Sequence, residues 1–190
     1  EQPRPDPTTL AATDVIVEVK SASVGWVDLI MSSGQYQHVP TPPYTPGLEY
    51  AGVVSWKGSA VGNHVEVGDA VIADGALTGP RSLGAHRAWG GWASWAVAPS
   101  EALLRIPGAL SFDEGCNLLG NYETAYHCLI ARARLSAGES VLILGASGAT
   151  GLAAVQIAKL SGATVIATGR SAEKLALVRE HGADHVIVTG

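Results

Sequence analysis

The chain has 190 residues and carries 12 Lys and Arg against 17 Asp and Glu, a net charge of −5. That balance argues against a surface for nucleic acid or an anionic bilayer, and no apolar run approaches the length of a membrane-spanning helix. The two cysteines, Cys116 and Cys128, form neither a disulfide framework nor a metal pattern; both are expected to be buried free thiols, which fits a reducing compartment, cytoplasm or organelle matrix.

Taken in order, Glu1 to Ala12 is polar and Pro-rich, without a basic-then-apolar leader pattern, and is expected to form an arm or an edge strand. Asp14 to Val24 alternates, with Val15, Val17 and Val19 on one face and Ile16, Glu18 and Lys20 on the other, the pattern of a half-buried strand. A short helical turn follows over Gly25 to Ser33, then a Pro-rich loop from Pro40 to Pro46. Strands are expected within Gly47 to Val54, at the end of Val65 to Ala73 and over Trp92 to Pro99, with an irregular Gly-rich stretch from Ala76 to Gly91. Many short strands punctuated by Gly and Pro describe a compact β-barrel-like unit. After Ile106-Pro107 the pattern turns helical: Ser111 to Glu114 resembles a capping box, and a helix is expected to run from Leu118 to Arg134. The domain boundary is placed near Leu110, giving a substrate domain over 1–110 and part of a nucleotide-binding domain over 111–190.

The most informative stretch is Val141 to Lys159, VLILGASGATGLAAVQIAK. A short apolar run meets Gly145, Gly148 and Gly151, and an apolar-periodic helix follows. Small residues there let the backbone approach a ligand, and the free amides of Gly145, Ala146, Ser147, Gly148, Ala149, Thr150 and Gly151 converge with the positive end of the helix on a point that suits a pyrophosphate. The usual G-x-G-x-x-G spacing is altered, with the first glycine shifted to Gly145 and Ala146 in its ordinary place. A second strand over Ala163 to Thr168, a helix over Ser171 to His181 and a third strand over His185 to Val188 complete the strand–helix order of a doubly wound parallel sheet. At the end of the second strand an NAD site requires an acidic residue. Here the order is Thr168-Gly169-Arg170-Ser171, with Lys174 one turn on. A guanidinium, a hydroxyl and an ammonium suit a ribose 2′-phosphate, so NADPH is the expected cofactor.

Four further segments give the chain its resemblance. Ser23-Val24-Gly25-Trp26-Val27-Asp28 followed by Gly34-Gln35-Tyr36, Tyr44 to Gly52 (YTPGLEYAG), Gly91-Trp92-Ala93-Ser94-Trp95, and Asn121-Tyr122-Glu123-Thr124-Ala125-Tyr126 stand in this order before the glycine turn. Together they resemble the medium-chain dehydrogenase/reductases, specifically the zinc-free quinone oxidoreductase branch. The resemblance implies a GroES-like β-barrel followed by a Rossmann domain, and NADPH-dependent reduction of a small quinone or α,β-unsaturated carbonyl. It places Gly25, Leu48 and Gly120 where zinc-dependent relatives hold their catalytic metal, and none of these can ligate zinc. It also implies that Tyr36 stands near the substrate oxygen as a hydrogen-bond or proton donor, and that Asn121 and Thr124 lie near the nicotinamide and its ribose. Asp28 and Glu49 are read as structural, Asp28 as an anchor of the first loop. His38, His64 and His127 show no metal-like spacing and receive no role. Trp26, Trp89, Trp92 and Trp95 are expected mainly in the barrel core.

The chain stops at Gly190, after the third strand of the doubly wound half, whereas the resemblance implies a longer complete enzyme. Two expectations follow. In one, a full-length form is a catalytic homo-oligomer. In the other, a shortened, non-catalytic dehydrogenase-like subunit buries its open sheet edge against a protein partner in a larger assembly.

Overall fold

A computed structural model describes residues 3–189; the first two residues of the expected arm and Gly190 lie outside the described residues. Two compact units follow one another, the first ending at Leu119 and the second beginning at Gly120. The N-terminal stretch is not a strand: Pro7–Thr9 form one 3₁₀ turn, capped by the side chain of Asp6. Proline fixes φ and lacks an N–H, which suits a helical first turn better than a ladder.

The first unit is built on a five-stranded antiparallel sheet. Its strands are β1 (Asp14–Ala22), β2 (Tyr50–Lys57), β3 (Ala70–Ala73), β4 (Trp95–Pro99) and β5 (Leu103–Arg105), in the spatial order β4-β1-β2-β3-β5. The short strand β5 carries no alternation and was not anticipated from the pattern. The half-buried reading of β1 fails at its start, where Val15, Ile16 and Val17 are all fully buried. The strand is paired along both edges, with β2 and with β4, and both of its faces are covered. β4 departs from alternation for a similar reason, with Ala96, Val97 and Ala98 all buried. Val15, Val17, Tyr50, Val54, Val65, Val71 and Leu103 form the main core. A smaller cluster joins Ala51, Ile72 and Cys116 to Ile106 and Phe112, bringing α2 (Phe112–Gly115) onto the sheet. Ser111 and Glu114 close the expected capping box.

The second unit holds a parallel sheet of β6 (Ser140–Ile143), β7 (Thr164–Gly169) and β8 (His185–Val188), in that spatial order. Helices α4 (Ala149–Leu160) and α5 (Ala172–Glu180) make the crossovers. Val155 and Ala158 of α4, Leu175 and Val178 of α5, and Val165 and Ala167 of β7 are buried together. The single helix expected over 118–134 is instead α3 (Leu118–Tyr126) followed by a wider π-type turn, His127–Arg132. The Ala133 N–H reaches back to the Cys128 carbonyl, and Arg134 takes a positive φ of 54°. Hydrogen bonding at i→i+5 leaves no signature in an apolar pattern that is continuous across the junction.

Asp184 closes the second unit: its carboxylate accepts the Val165 N–H at 2.8 Å and pairs with Lys159 at the end of α4. The Lys159 hydrogen bond first, then that of Val165, hold its carboxyl below the ordinary carboxylate range. A lowered folded-state pKa means stability that is present above the unfolded value and is lost as pH falls through the folded one. Asp184→Asn is therefore expected to lower the thermal midpoint at pH 7, with the difference from the parent shrinking as pH falls through the folded-state value; circular-dichroism melts across pH measure both.

Candidate functional site

The glycine turn shows why each residue stands where it does. β6 ends at Ile143, and Gly145 turns the chain with φ +66°, a left-handed conformation that a Cβ disfavours. Ala146 is fully buried, and its N–H donates to the Thr168 carbonyl at 2.9 Å, which pins the turn to the end of β7. Alanine is thus accommodated at the place where the common spacing has glycine. Gly148 caps α4 with no side-chain hydrogen bond. A Cβ there would meet only the Gly145 carbonyl, at an ordinary 3.5 Å. The fold itself does not demand glycine at this point; the missing side chain opens the start of the helix to a ligand. Gly151 is demanded by the fold, because a Cβ would lie 2.6 Å from the Gly145 carbonyl oxygen and 2.8 Å from the Ala146 Cα. Ser147, Ala149 and Thr150 are exposed around the helix start. Uncapped first-turn amides beside a bare glycine cradle fit a phosphate-bearing cofactor.

At the end of β7, Arg170 is exposed and Ser171 caps α5 by accepting the Lys174 N–H at 3.3 Å. Neither Arg170 nor Lys174 is in an ion pair among the described residues. Gly169 links this end to the glycine turn: a Cβ on it would lie 3.6 Å from the Ser147 hydroxyl and 3.2 Å from Leu175. The turn and the basic segment therefore share one side of the sheet's C-terminal edge, the place where doubly wound folds hold ligands.

On α3, Asn121 and Thr124 both lie close to α4 or to their own helix. The Thr150 hydroxyl donates to Asn121 Oδ1 at 2.9 Å, and the Tyr122 hydroxyl donates to Gln156 Oε1. The Thr124 hydroxyl donates to the Gly120 carbonyl at 2.7 Å, which leaves its oxygen available as an acceptor. These links between α3 and α4 were not foreseen, since nothing in the spacing of two distant segments announces them. A cavity of about 530 Å³ runs along β6, lined by Ala125, Cys128, Leu129, Thr150 and Ala154 and walled at one end by the glycine turn. Cys128 is exposed there, contrary to the expectation of two buried thiols; only Cys116 is buried, and burial pushes its thiol upward.

The remaining predicted residues belong to the first unit. Tyr36 is half-buried and packs edge-on to His38, with ring centroids 6.4 Å apart. Asp28 is 3% exposed and lies in α1 (Trp26–Ser32). One carboxylate oxygen accepts the Gly25 N–H at 2.8 Å and the other accepts the Leu48 N–H at 2.9 Å. Asp28 is thus the anchor of the first loop. Ser23 donates to Glu49 at 3.2 Å, and the Trp92 indole donates to the Ser23 carbonyl at 2.9 Å. The tryptophans are not core as expected: Trp26, which opens α1, is 81% exposed, Trp92 is also exposed, and Trp89 and Trp95 are half-buried. Trp95 is partly covered by the Arg4 guanidinium, 5.0 Å from its ring centroid.

A profile of the alcohol dehydrogenase GroES-like domain matches residues 11–108, and one of zinc-binding dehydrogenases matches residues 149–190. Quinone oxidoreductase of Lama guanicoe is 37% identical over 175 residues, which is 90% of this chain and 48% of that protein. The crystal structure of Escherichia coli quinone oxidoreductase complexed with NADPH aligns with a TM-score of 0.78 at 30% identity, over 98% of this chain and 52% of that one. An NAD-dependent alcohol dehydrogenase aligns with a TM-score of 0.86 at 28% identity, over 99% and 58%. The chain belongs to the medium-chain dehydrogenase/reductase family, among its quinone oxidoreductase-like members: a GroES-like unit followed by part of a Rossmann-type sheet. It spans about half the length of the curated relatives it matches. Among the described residues no helix is long and apolar enough to cross a membrane, and no group of three or more His, Cys, Asp or Glu is arranged to hold a metal ion.

Two substitutions probe this geometry. Asp28→Ala strands one buried and one part-buried N–H group and is expected to cost about 3 kcal/mol, or about 6–12 °C in the thermal midpoint, with Asp28→Asn in between; differential scanning calorimetry measures both. Gly151→Ala forces α4 off the turn and is expected to abolish nucleotide binding in a fluorescence titration while the far-ultraviolet dichroism persists.

Proposed function

We propose that this chain carries the substrate-binding unit and the first nucleotide-binding half of an NADPH-dependent reductase of quinones or α,β-unsaturated carbonyls that works without zinc. The observation that supports it most is the pairing of an open glycine cradle with Arg170 and Lys174 on one sheet edge. The first-turn amides of α4, beside Gly148, hold the pyrophosphate. Arg170, Ser171 and Lys174 hold the 2′-phosphate, where a guanidinium makes paired hydrogen bonds that a carboxylate would repel. Asn121 and the Thr124 oxygen orient the nicotinamide end. NADPH supplies a hydride when bound. Tyr36 offers its phenol to the substrate oxygen that gains charge, the role a Lewis acid takes in zinc-dependent relatives. The positions that would carry zinc ligands are Gly25, Leu48 and Gly120. Their lack of thiolate or imidazole favours acceptors that need no metal, such as quinones and enones, over alcohols.

The test is NADPH consumption against a panel of quinones and enones, alongside direct binding of NADPH and NADH. Arg170→Asp is expected to shift the ratio of the two affinities toward NADH by at least about tenfold; an unchanged ratio overturns the 2′-phosphate assignment. Tyr36→Phe is expected to lower turnover about a hundredfold with NADPH affinity unchanged; unaltered turnover removes Tyr36 from the mechanism.

A further inference from the structure

Thr150 is the second residue of α4, at the mouth of the glycine cradle, and lines the cavity beside β6. Its hydroxyl, exposed beside the cradle, crosses to α3 and donates to the Asn121 amide oxygen at 2.9 Å. The Thr124 hydroxyl does not compete for that oxygen, being committed to the Gly120 carbonyl. Threonine is restricted at χ1, so only a few directions are open to this donor. The Asn121 amide oxygen is thereby tied to the same turn that presents the backbone amides around Gly148. The second bridge between the helices, Tyr122 to Gln156, already resists sliding of α3 along α4. The Thr150 bond adds the rotational setting of one amide.

We propose that Thr150 is a positioning residue of the cofactor site. Its hydroxyl sets the Asn121 amide and couples α3 to the glycine cradle, so that NADPH affinity depends on a hydroxyl that touches Asn121 and not the phosphates. The proposal rests on the NADPH reading above. It assigns Thr150 a role distinct from that of its neighbours, whose contribution is their backbone N–H groups.

The experiment is a fluorescence titration of NADPH with the full 190-residue chain and four variants: Thr150→Val, Thr150→Ser, Asn121→Ala and the double variant Thr150→Val/Asn121→Ala. Valine keeps the shape and the branched rotamer and removes only the donor. It is expected to raise Kd about fivefold, the scale of one lost hydrogen bond. Serine restores the donor and is expected to stay within about twofold of the parent. In the Asn121→Ala background the valine substitution is expected to change nothing further, the signature of two residues acting as a unit. Parent-like affinity for Thr150→Val overturns the proposal. So does an equal loss in the Asn121→Ala background, which would assign the hydroxyl to the phosphates or to the helix itself. Failure of the parent chain to bind NADPH is a separate outcome: it removes the cofactor reading, and the positioning role with it.

Discussion

The second unit depends on one close approach. Gly151, in the first turn of α4, lies so near the Gly145 carbonyl that any Cβ would sit 2.6 Å from it. That contact lets the helix begin directly against the end of β6, and Val155 and Ala158 further along it join the core with β7. The burial of Ala146 and its bond to the Thr168 carbonyl hold the turn, so core packing keeps the start of α4 in place.

The first unit has its own pin of a different kind. Asp28 is a buried carboxylate whose oxygens are given to two backbone N–H groups, one at the start of α1 and one at Leu48. Burying an unpaired charge would cost several kcal/mol. With both N–H groups supplied, the carboxylate ties the start of α1 to the chain at Leu48.

Charge works locally here. The chain as a whole is at −5, yet the end of β7 presents Arg170 and Lys174 to solvent without ion-pair partners among the described residues. Screening confines each field to about 8 Å at physiological salt, so net charge says little about what a nucleotide phosphate meets at that edge. The acidic balance is a property of the whole chain; the basic pair sets the potential at one edge of the sheet.

The strand–turn–helix at Val141 to Lys159 was legible because its signals are local: an apolar run, glycines at short spacing, then a helical period. The same holds for the capping box at Ser111 and Glu114, and for the order β6-α4-β7-α5-β8. The basic end of β7 was readable because it is four consecutive residues plus one helical turn. What could not be read depends on groups far apart in the chain. β1 looked half-buried because alternation reports only its own side chains, while its burial comes from β2, β4 and the cover on both faces. The exposure of Trp26 and of Cys128 reflects which face of a helix meets a neighbour, and composition is silent on that. The Thr150–Asn121 bond joins residues 29 apart through two helices whose relative placement arises only when both pack on the sheet. Sequence by itself determined the family and the order of its two units, because both are written in short contiguous motifs. Tertiary structure alone decided which side chains hold one another in position, because that is a matter of distances between segments, and no local pattern encodes those.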